Sequence, residues 1–532
     1  MDDRRFEKLL LILLAVAAFL AALSPVWDPD SFWHLAFGRF IFETGSLPHN
    51  EPFAFTREGM PLTDLSWLPH LIFFAAYKAF GFPGTEILVS LAAASTLLVM
   101  TAAARTAGTK IFSLAVYFSL FFNAFTARFK LRPEALSLLC FAVLVSLLIK
   151  YRKDKDSPRW SFFLLFLAWT QVHPSWIYGA VLIPVFVLER HWNIFRTGFG
   201  RDLIWMGALP AAALFLNPYG YKPVLFPFSS FITMKAAGES EISEWRGSPF
   251  TFSTAPFLLL AFAVCVYALA RLLKKKDTAL PFIVSLIQFL FLVSWVRYSS
   301  FAFIALAPFA CVMFGEALEK LRVSRKLIRS AAVILLLLPV LSVVNYTPTR
   351  LIIELNYPEK ETAFLLSKGI GGNILHTYVA GGFIEFRTYP ENKSYADGRY
   401  FDFLPQIREY EDAKMDIKRF RDFSLHHLFD IAVIPYSKAV VSTPGTGLKR
   451  NAQALMLPRE SWAPVFYGPY GTVFLKRNAA NAAHIDQFEF KVLFPYDKGF
   501  SRREVHSGRA DRKSLESELK RAAETGAGFL AE

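Results

Sequence analysis

The first two thirds of the chain alternate between long apolar runs and short charged clusters, and the last third does not. A membrane-crossing helix needs about 20 mostly apolar residues. The first such run is Leu9 to Val26, behind Arg4, Arg5 and Lys8. Its rival reading is a cleaved signal peptide. The many runs that follow favour an anchor. Further runs lie near 84–106, 109–127, 132–150, 159–174, 176–190, 202–217, 252–273, 278–296, 298–316 and 327–346, so about eleven spans are expected. Residues 67–82 are apolar but short and carry His70 and Lys78, which reads as a helix lying in the outer interface.

Charge sets the sidedness. With the N-terminus inside, Arg105/Lys110, Lys150–Arg159, Arg190–Arg201, Arg271–Lys276 and Lys320–Arg329 all fall on one face. Cytoplasmic loops retain Lys and Arg in this way. The segment after Tyr346 then lies outside. The expected organisation is an α-helical polytopic membrane domain over 1–348, with outer loops 27–83 and 218–251, and an extracytoplasmic soluble α/β domain over 349–532 that ends in a polar tail.

Within that last domain the pattern shortens. Pro358–Lys368, Gly381–Tyr389, Phe403–Phe423 and Lys513–Ala523 read as helices. Asn373–Thr377, Lys393–Ala396 and Asp430–Pro435 read as strands, and Trp462–Lys476 as a hairpin. Alternating elements favour a parallel or mixed sheet.

Composition agrees with the pattern. The chain is 54% hydrophobic and 19% charged, against about 25% charged residues in soluble domains. That excludes a disordered chain, a collagen and a disulfide scaffold. The net charge of +14 sits mainly in the loop clusters, which points away from nucleic acid. Cys140, Cys265 and Cys311 all lie in apolar runs, where they read as small buried hydrophobes.

The chemistry gathers at the outer boundary. Trp27-Asp28-Pro29-Asp30 directly follows the first run. Carboxylates beside a bilayer are costly and often functional, and Pro29 keeps Asp28 extended. Asp28 and Asp30 are therefore the candidate catalytic pair. The structural alternative makes Asp30 a helix N-cap and Asp28 a solvated acid. His34, one turn further on, gives a conceivable divalent-metal set with the two acids; packing is the commoner fate of such a histidine.

Arg128, Lys130 and Arg132 run against the inside bias, just ahead of Pro133 and Glu134. Cations beside a helix start suit an anion such as a lipid-linked phosphate, and snorkelling to headgroups is the alternative. Arg297 is an outlier of the same kind. Gln171 and His173 bring polar groups to the same boundary, where His173 reads equally as a substrate contact or as a structural hydrogen-bonding group. After Asn217-Pro218-Tyr219-Gly220, the loop carries Glu239, Glu241, Glu244 and Trp245; its acids suit sugar hydroxyls or an amine acceptor, and plain solvation is the commoner alternative.

The segment from Trp27 through Gly59 resembles the first outer loop of GT-C-type membrane glycosyltransferases, which use polyprenyl-phosphate-linked sugars. DPDSFWHL, PHNEPFAFT, SWLPH, the RPE helix start, NPYG, AGGFIEFRTYP and YADGR are similar to features of a bacterial multi-span family related to that superfamily. The resemblance covers most of residues 25–400. It implies a multi-pass bacterial inner-membrane enzyme. Asp28 or Asp30 would act as general base, and Arg128, Lys130, Arg132 or Arg297 would hold the leaving polyprenyl phosphate. The acceptor would be a glycan, lipid or protein. A transporter or flippase, and a scaffold protein that kept the fold without turnover, are the alternatives from other classes.

Overall fold

The computed structural model describes residues 3–154, 158–192, 197–237, 247, 250–251, 253–320, 324–341, 346–442, 449–494 and 498–527. Two compact units emerge, each built from separate stretches of chain. One joins Met1–Val26 to Thr63–Tyr346, and the other joins Trp27–Leu62 to Thr347–Glu532. The outer loop 27–83 therefore does not belong whole to the membrane domain. Residues 27–62 fold with the C-terminal domain instead.

The first unit is helical. Among the described residues, four helices are long and apolar enough to cross a membrane, not about eleven: Trp67–Thr106, Glu134–Lys153, Ala255–Leu273 and Val296–Lys320. The other apolar runs are interrupted. The 109–127 run becomes Ile111–Thr126, bent at Phe121, and the 278–296 run becomes Leu280–Ser294. Helices of that length reach about 24 Å, short of the roughly 30 Å hydrocarbon core. The 159–174 run stops as a helix at Trp169, and the 176–190 run splits into Trp176–Ala180 and Leu182–Arg190. Asp3–Ala22 carries four charged side chains, Arg4 to Lys8, in its first turns. Overall hydropathy recognises these runs as apolar but does not register the turns inside them.

Residues 67–106 form one helix broken at Gly81, whose φ of 65° and ψ of −158° precede Pro83. This helix packs along Glu134–Lys153 and along Asp3–Ala22. Tyr117 lies in the core, stacked on Phe303 and donating its hydroxyl to the Phe303 carbonyl at 2.8 Å. Ile12, Leu91, Leu164, Leu259, Phe262 and Leu290 are exposed, an apolar surface of the kind that meets lipid.

The second unit is α/β. Its strands are β1 (Gly372–His376), β2 (Asn392–Lys393), β3 (Ile431–Pro435), β4 (Val440–Ser442), β5 (Lys449–Asn451), β6 (Trp462–Tyr467) and β7 (Gly471–Lys476). The main sheet has the order β2-β1-β3-β7-β6. β1 runs parallel to β2 and β3, while β7 runs antiparallel to β3 and β6, so the sheet is mixed. β4 and β5 form a separate two-stranded ribbon. One sheet face buries Leu375, Ala432, Ile434, Trp462 and Phe474, and the other buries Ile374, Ile431, Val433, Val473 and Leu475. The predicted helix over 403–423 is two helices, Tyr400–Lys414 and Ile417–His426. The Asp416 side chain caps the second by accepting from the Arg419 amide at 2.9 Å.

Residues 27–62 join this unit through an apolar seam. Helix Asp30–Thr44 packs on helix Tyr378–Thr388. Phe32 meets Phe383 at 4.9 Å and Phe53 meets Tyr389 at 4.9 Å, both edge-on. A Cβ on Gly382 would stand 2.8 Å from the Trp33 amide nitrogen, so this crossing needs a glycine.

Candidate functional site

The motifs singled out in the sequence sort into two clusters, one in each unit.

In the first unit, Pro133 precedes helix Glu134–Lys153 and Glu134 opens its first turn. Arg128 donates to the Glu134 carboxylate through Nε at 2.7 Å and also through its terminal nitrogen. Arg297 donates to the other oxygen of the same carboxylate. Two cations far apart in sequence thus share one buried acid. His173 lies within electrostatic reach of Glu134, Arg297 and Arg128, and its Nδ1 accepts from the Ser175 amide at 3.2 Å. Lys130 and Arg132 are half-buried beside Arg128 in sequence. Simple snorkelling does not describe Arg128, which is buried and ion-paired.

SWLPH and the acid before it join this cluster through contacts that the sequence did not indicate. Asp64 accepts from His70 Nδ1 at 3.0 Å and from the Ser66 amide at 2.9 Å. Trp67 Nε1 donates to Gln171 Oε1 at 3.0 Å. The acid that precedes SWLPH therefore orients the histidine that ends it. NPYG is a turn: Asn217 donates to the Thr170 carbonyl at 2.8 Å and accepts from the Tyr219 amide at 2.9 Å. Glu239, Glu241, Glu244 and Trp245 lie outside the described residues.

In the second unit, the Asp28 side chain accepts from the Asp30 amide at 3.2 Å. Pro29, not Asp30, holds the N-cap position, and Asp30 is the first helical residue. Asp28 is 3% exposed, so it is no solvated acid. Tyr357 donates to the Trp27 carbonyl at 2.8 Å and stacks on Phe383. A Cβ on Gly398 would stand 2.1 Å from Asp30 Oδ1, so the bare Cα of that residue is what leaves room for the carboxylate. His34 is buried against Trp33. Among the described residues no group of three His, Cys, Asp or Glu side chains could hold a metal ion. Asp28, Asp30 and His34 are therefore not assembled as a ligand set.

A second network sits beside this one. Arg399 donates to Glu51 at 2.6 and 3.1 Å and to Asp397 at 2.7 and 3.0 Å. Its guanidinium also lies 4.8 Å from the centroid of Phe37 and 5.0 Å from that of Phe403. Glu51 accepts from the amides of Phe53 and Ala54 at 2.9 and 3.1 Å. Ser394 donates to Glu385 at 2.5 Å. Burial, and next the charge of Asp397, push the Glu385 carboxyl well above its usual range. Three acids lie around one guanidinium, and the proton that Glu385 favours leaves two carboxylates to share it. PHNEPFAFT, AGGFIEFRTYP and YADGR thus contribute Glu51, Glu385 and Asp397 with Arg399 to one polar core. This core accounts for these motifs without assigning them any chemistry.

No protein-family model matches the chain, and no curated protein matches it. Among solved structures the chain is similar to the oligosaccharyltransferase of Archaeoglobus fulgidus in its apo form. The identity is 12% and the TM-score 0.44, covering 88% of this chain and 74% of that one.

Proposed function

We propose that this chain is a membrane glycosyltransferase that moves a sugar from a polyprenyl-phosphate donor to an extracytoplasmic acceptor by a single inverting displacement. The observation that carries this reading is the Glu134 carboxylate shared by Arg128 and Arg297 at the start of a helix. The segment from Arg128 to Glu134 carries three cations to one acid, a charge balance suited to a phosphate leaving group. Asp28 or Asp30 takes the proton from the acceptor hydroxyl or amine. The acceptor forms its bond to the anomeric carbon as the bond to the phosphate oxygen breaks. Polyprenyl phosphate departs with its charge met by Arg297, Lys130 and Arg132, and His173 orients the polar groups around them. In this reading the N-terminus is cytoplasmic, the C-terminal domain is extracytoplasmic, and the membrane is a bacterial inner membrane.

One observation favours a scaffold without turnover: Asp28 is buried and already spent on the Asp30 amide. The two readings separate on Asp28→Asn, Asp30→Asn and Arg297→Gln in the full chain, reconstituted in nanodiscs with a panel of polyprenyl-phosphate sugars. A transferase loses turnover in one Asp variant and in Arg297→Gln, each still folded by its melting curve, although Arg297→Gln melts lower because Glu134 keeps only Arg128. A scaffold has no turnover to lose.

A further inference from the structure

Apart from Asp30, the groups at the carboxyl edge of the parallel strands play no part in the chemistry used above. β1 and β3 are parallel neighbours, and in open α/β sheets ligands gather beyond the carboxyl ends of such strands. Here β1 leads into Thr377, which stands at the N-cap of helix Tyr378–Thr388. A threonine hydroxyl at that position ordinarily accepts an amide of the first turn. Thr377 makes no such side-chain cap. Its hydroxyl lies 3.3 Å from the Tyr470 hydroxyl instead.

Tyr470 belongs to the turn between β6 and β7, and its carbonyl accepts from the Tyr436 amide just past β3. The ends of β1, β3 and the hairpin therefore meet here. Thr377, Tyr378 and Tyr470 are all half-buried, as is Asp30. Burial, then Glu411, then Asp30 raise the Tyr378 phenol above its ordinary value, which puts both acids within reach of it. Glu411 is itself paired with Lys414 at 2.8 Å.

This is a mixed surface. Partly buried phenol rings offer an apolar face with a polar tip. Hydroxyls both donate and accept, and carboxylates accept. Two acids beside the helix start disfavour a phosphate there. A neutral ligand dense in hydroxyls and bearing a C–H face meets every one of these groups. We infer that the edge formed by Asp30, Thr377, Tyr378 and Tyr470 is a saccharide-binding subsite. Choosing a sugar ring as the ligand rests on the transferase reading.

The test uses the full chain in nanodiscs. Free hexoses, pentoses and amino sugars are titrated against it, and so is a polyprenyl-phosphate sugar. At least one probe should bind, and Tyr378→Ala and Tyr470→Ala should each weaken it about tenfold. Tyr470→Phe, which keeps the ring, should fall between these variants and wild type and should melt with wild type. Weakened binding of a free sugar identifies the acceptor as the source of the ring. Weakened binding of the lipid-linked probe alone identifies the donor. Binding of every probe unchanged in both alanine variants, or no binding to folded wild type, would overturn the subsite. Ring-dependent sugar binding without transfer from any donor would overturn the transferase reading and leave the subsite standing.

Discussion

Replacing Arg399 by glutamine should destabilise the second unit more than any other single change in its polar core. The Arg399 side chain is 7% exposed, and its two direct partners, Glu51 and Asp397, are 1% and 0% exposed. Glutamine keeps some hydrogen bonding but removes the charge that both carboxylates answer. Breaking a buried pair in this way costs about 3–5 kcal/mol, because the remaining charge stays buried. For a unit of about two hundred residues, each kcal/mol lowers the melting temperature by about 2–4 °C. The expected loss is therefore roughly 6–20 °C. Hydrogen exchange should quicken at Phe53 and Ala54, whose amides Glu51 holds, and around Asp397. The deficit should also shrink in acid. Without the guanidinium the buried carboxyls have raised folded pKa values, so the folded state binds more protons than the unfolded one. Stability of the variant then recovers as pH falls. Arg399→Lys should recover only part of the loss, since it cannot serve both carboxylates with a planar fork. Differential scanning fluorimetry and hydrogen-exchange mass spectrometry on the full chain read these effects. A variant that melts within a degree or two of wild type, with exchange at 53–54 unchanged, would refute the reasoning.

Three further outcomes are expected. Glu361 accepts from the Tyr470 and Gly471 amides at 3.1 and 2.9 Å, and burial pushes its carboxyl up to about 7; the folded state keeps this proton longer than the unfolded chain, so its effect on wild type is a stability that falls between about pH 5 and 7, by at most about 3 kcal/mol, and melting curves of Glu361→Gln against pH should lack this component. Gly398→Ala puts a methyl where Asp30 Oδ1 stands, so transfer should drop at least about tenfold with a modest change in melting, and unchanged transfer kinetics would show that Asp30 has no fixed position to lose. Glu134→Gln releases Arg128 and Arg297 from a common acid, which should weaken binding of polyprenyl phosphate and lower the melting temperature, both read in nanodiscs; tighter phosphate binding with full turnover would mean that Glu134 merely blocks the cations.

Most of the α/β domain is legible in the sequence because its signals are local. DIAVIP is a short apolar run with a turn on each side, and it is the central strand β3. Gly468 to Gly471 mark the β6–β7 turn as expected. The membrane unit is less legible, because a hydropathy window cannot see a break such as Phe121 or a turn such as Thr170–His173 inside an apolar run. The assignment of 27–62 to the second unit is invisible locally, since Phe32 and Phe53 would suit any apolar partner and the choice is made by Phe383 and Tyr389. At the site, Arg128 and Arg297 stand out because they defy the charge bias. Their common partner Glu134 is an ordinary first-turn acid, and only the fold reveals the pairing. The bond of Asp64 to His70, six residues on, was not legible, because nothing local fixes which acid a histidine meets. Glu51, Glu385 and Asp397 lie hundreds of residues apart in part, and their charges make sense only once Arg399 is set among them.

The central claim is that this chain transfers a sugar from a lipid phosphate using an acid after the first helix and cations at the start of Glu134–Lys153. The most direct test is single-turnover transfer from polyprenyl-phosphate sugars by wild type, Asp30→Asn, Asp28→Asn and Arg297→Gln, each shown to be folded by its melting curve. The account predicts product from wild type with at least one donor, inverted at the anomeric carbon, and at least a hundredfold loss, about 2.7 kcal/mol, in one Asp variant and in Arg297→Gln. Undiminished product from both Asp variants, or no product from folded wild type with any donor, would contradict it.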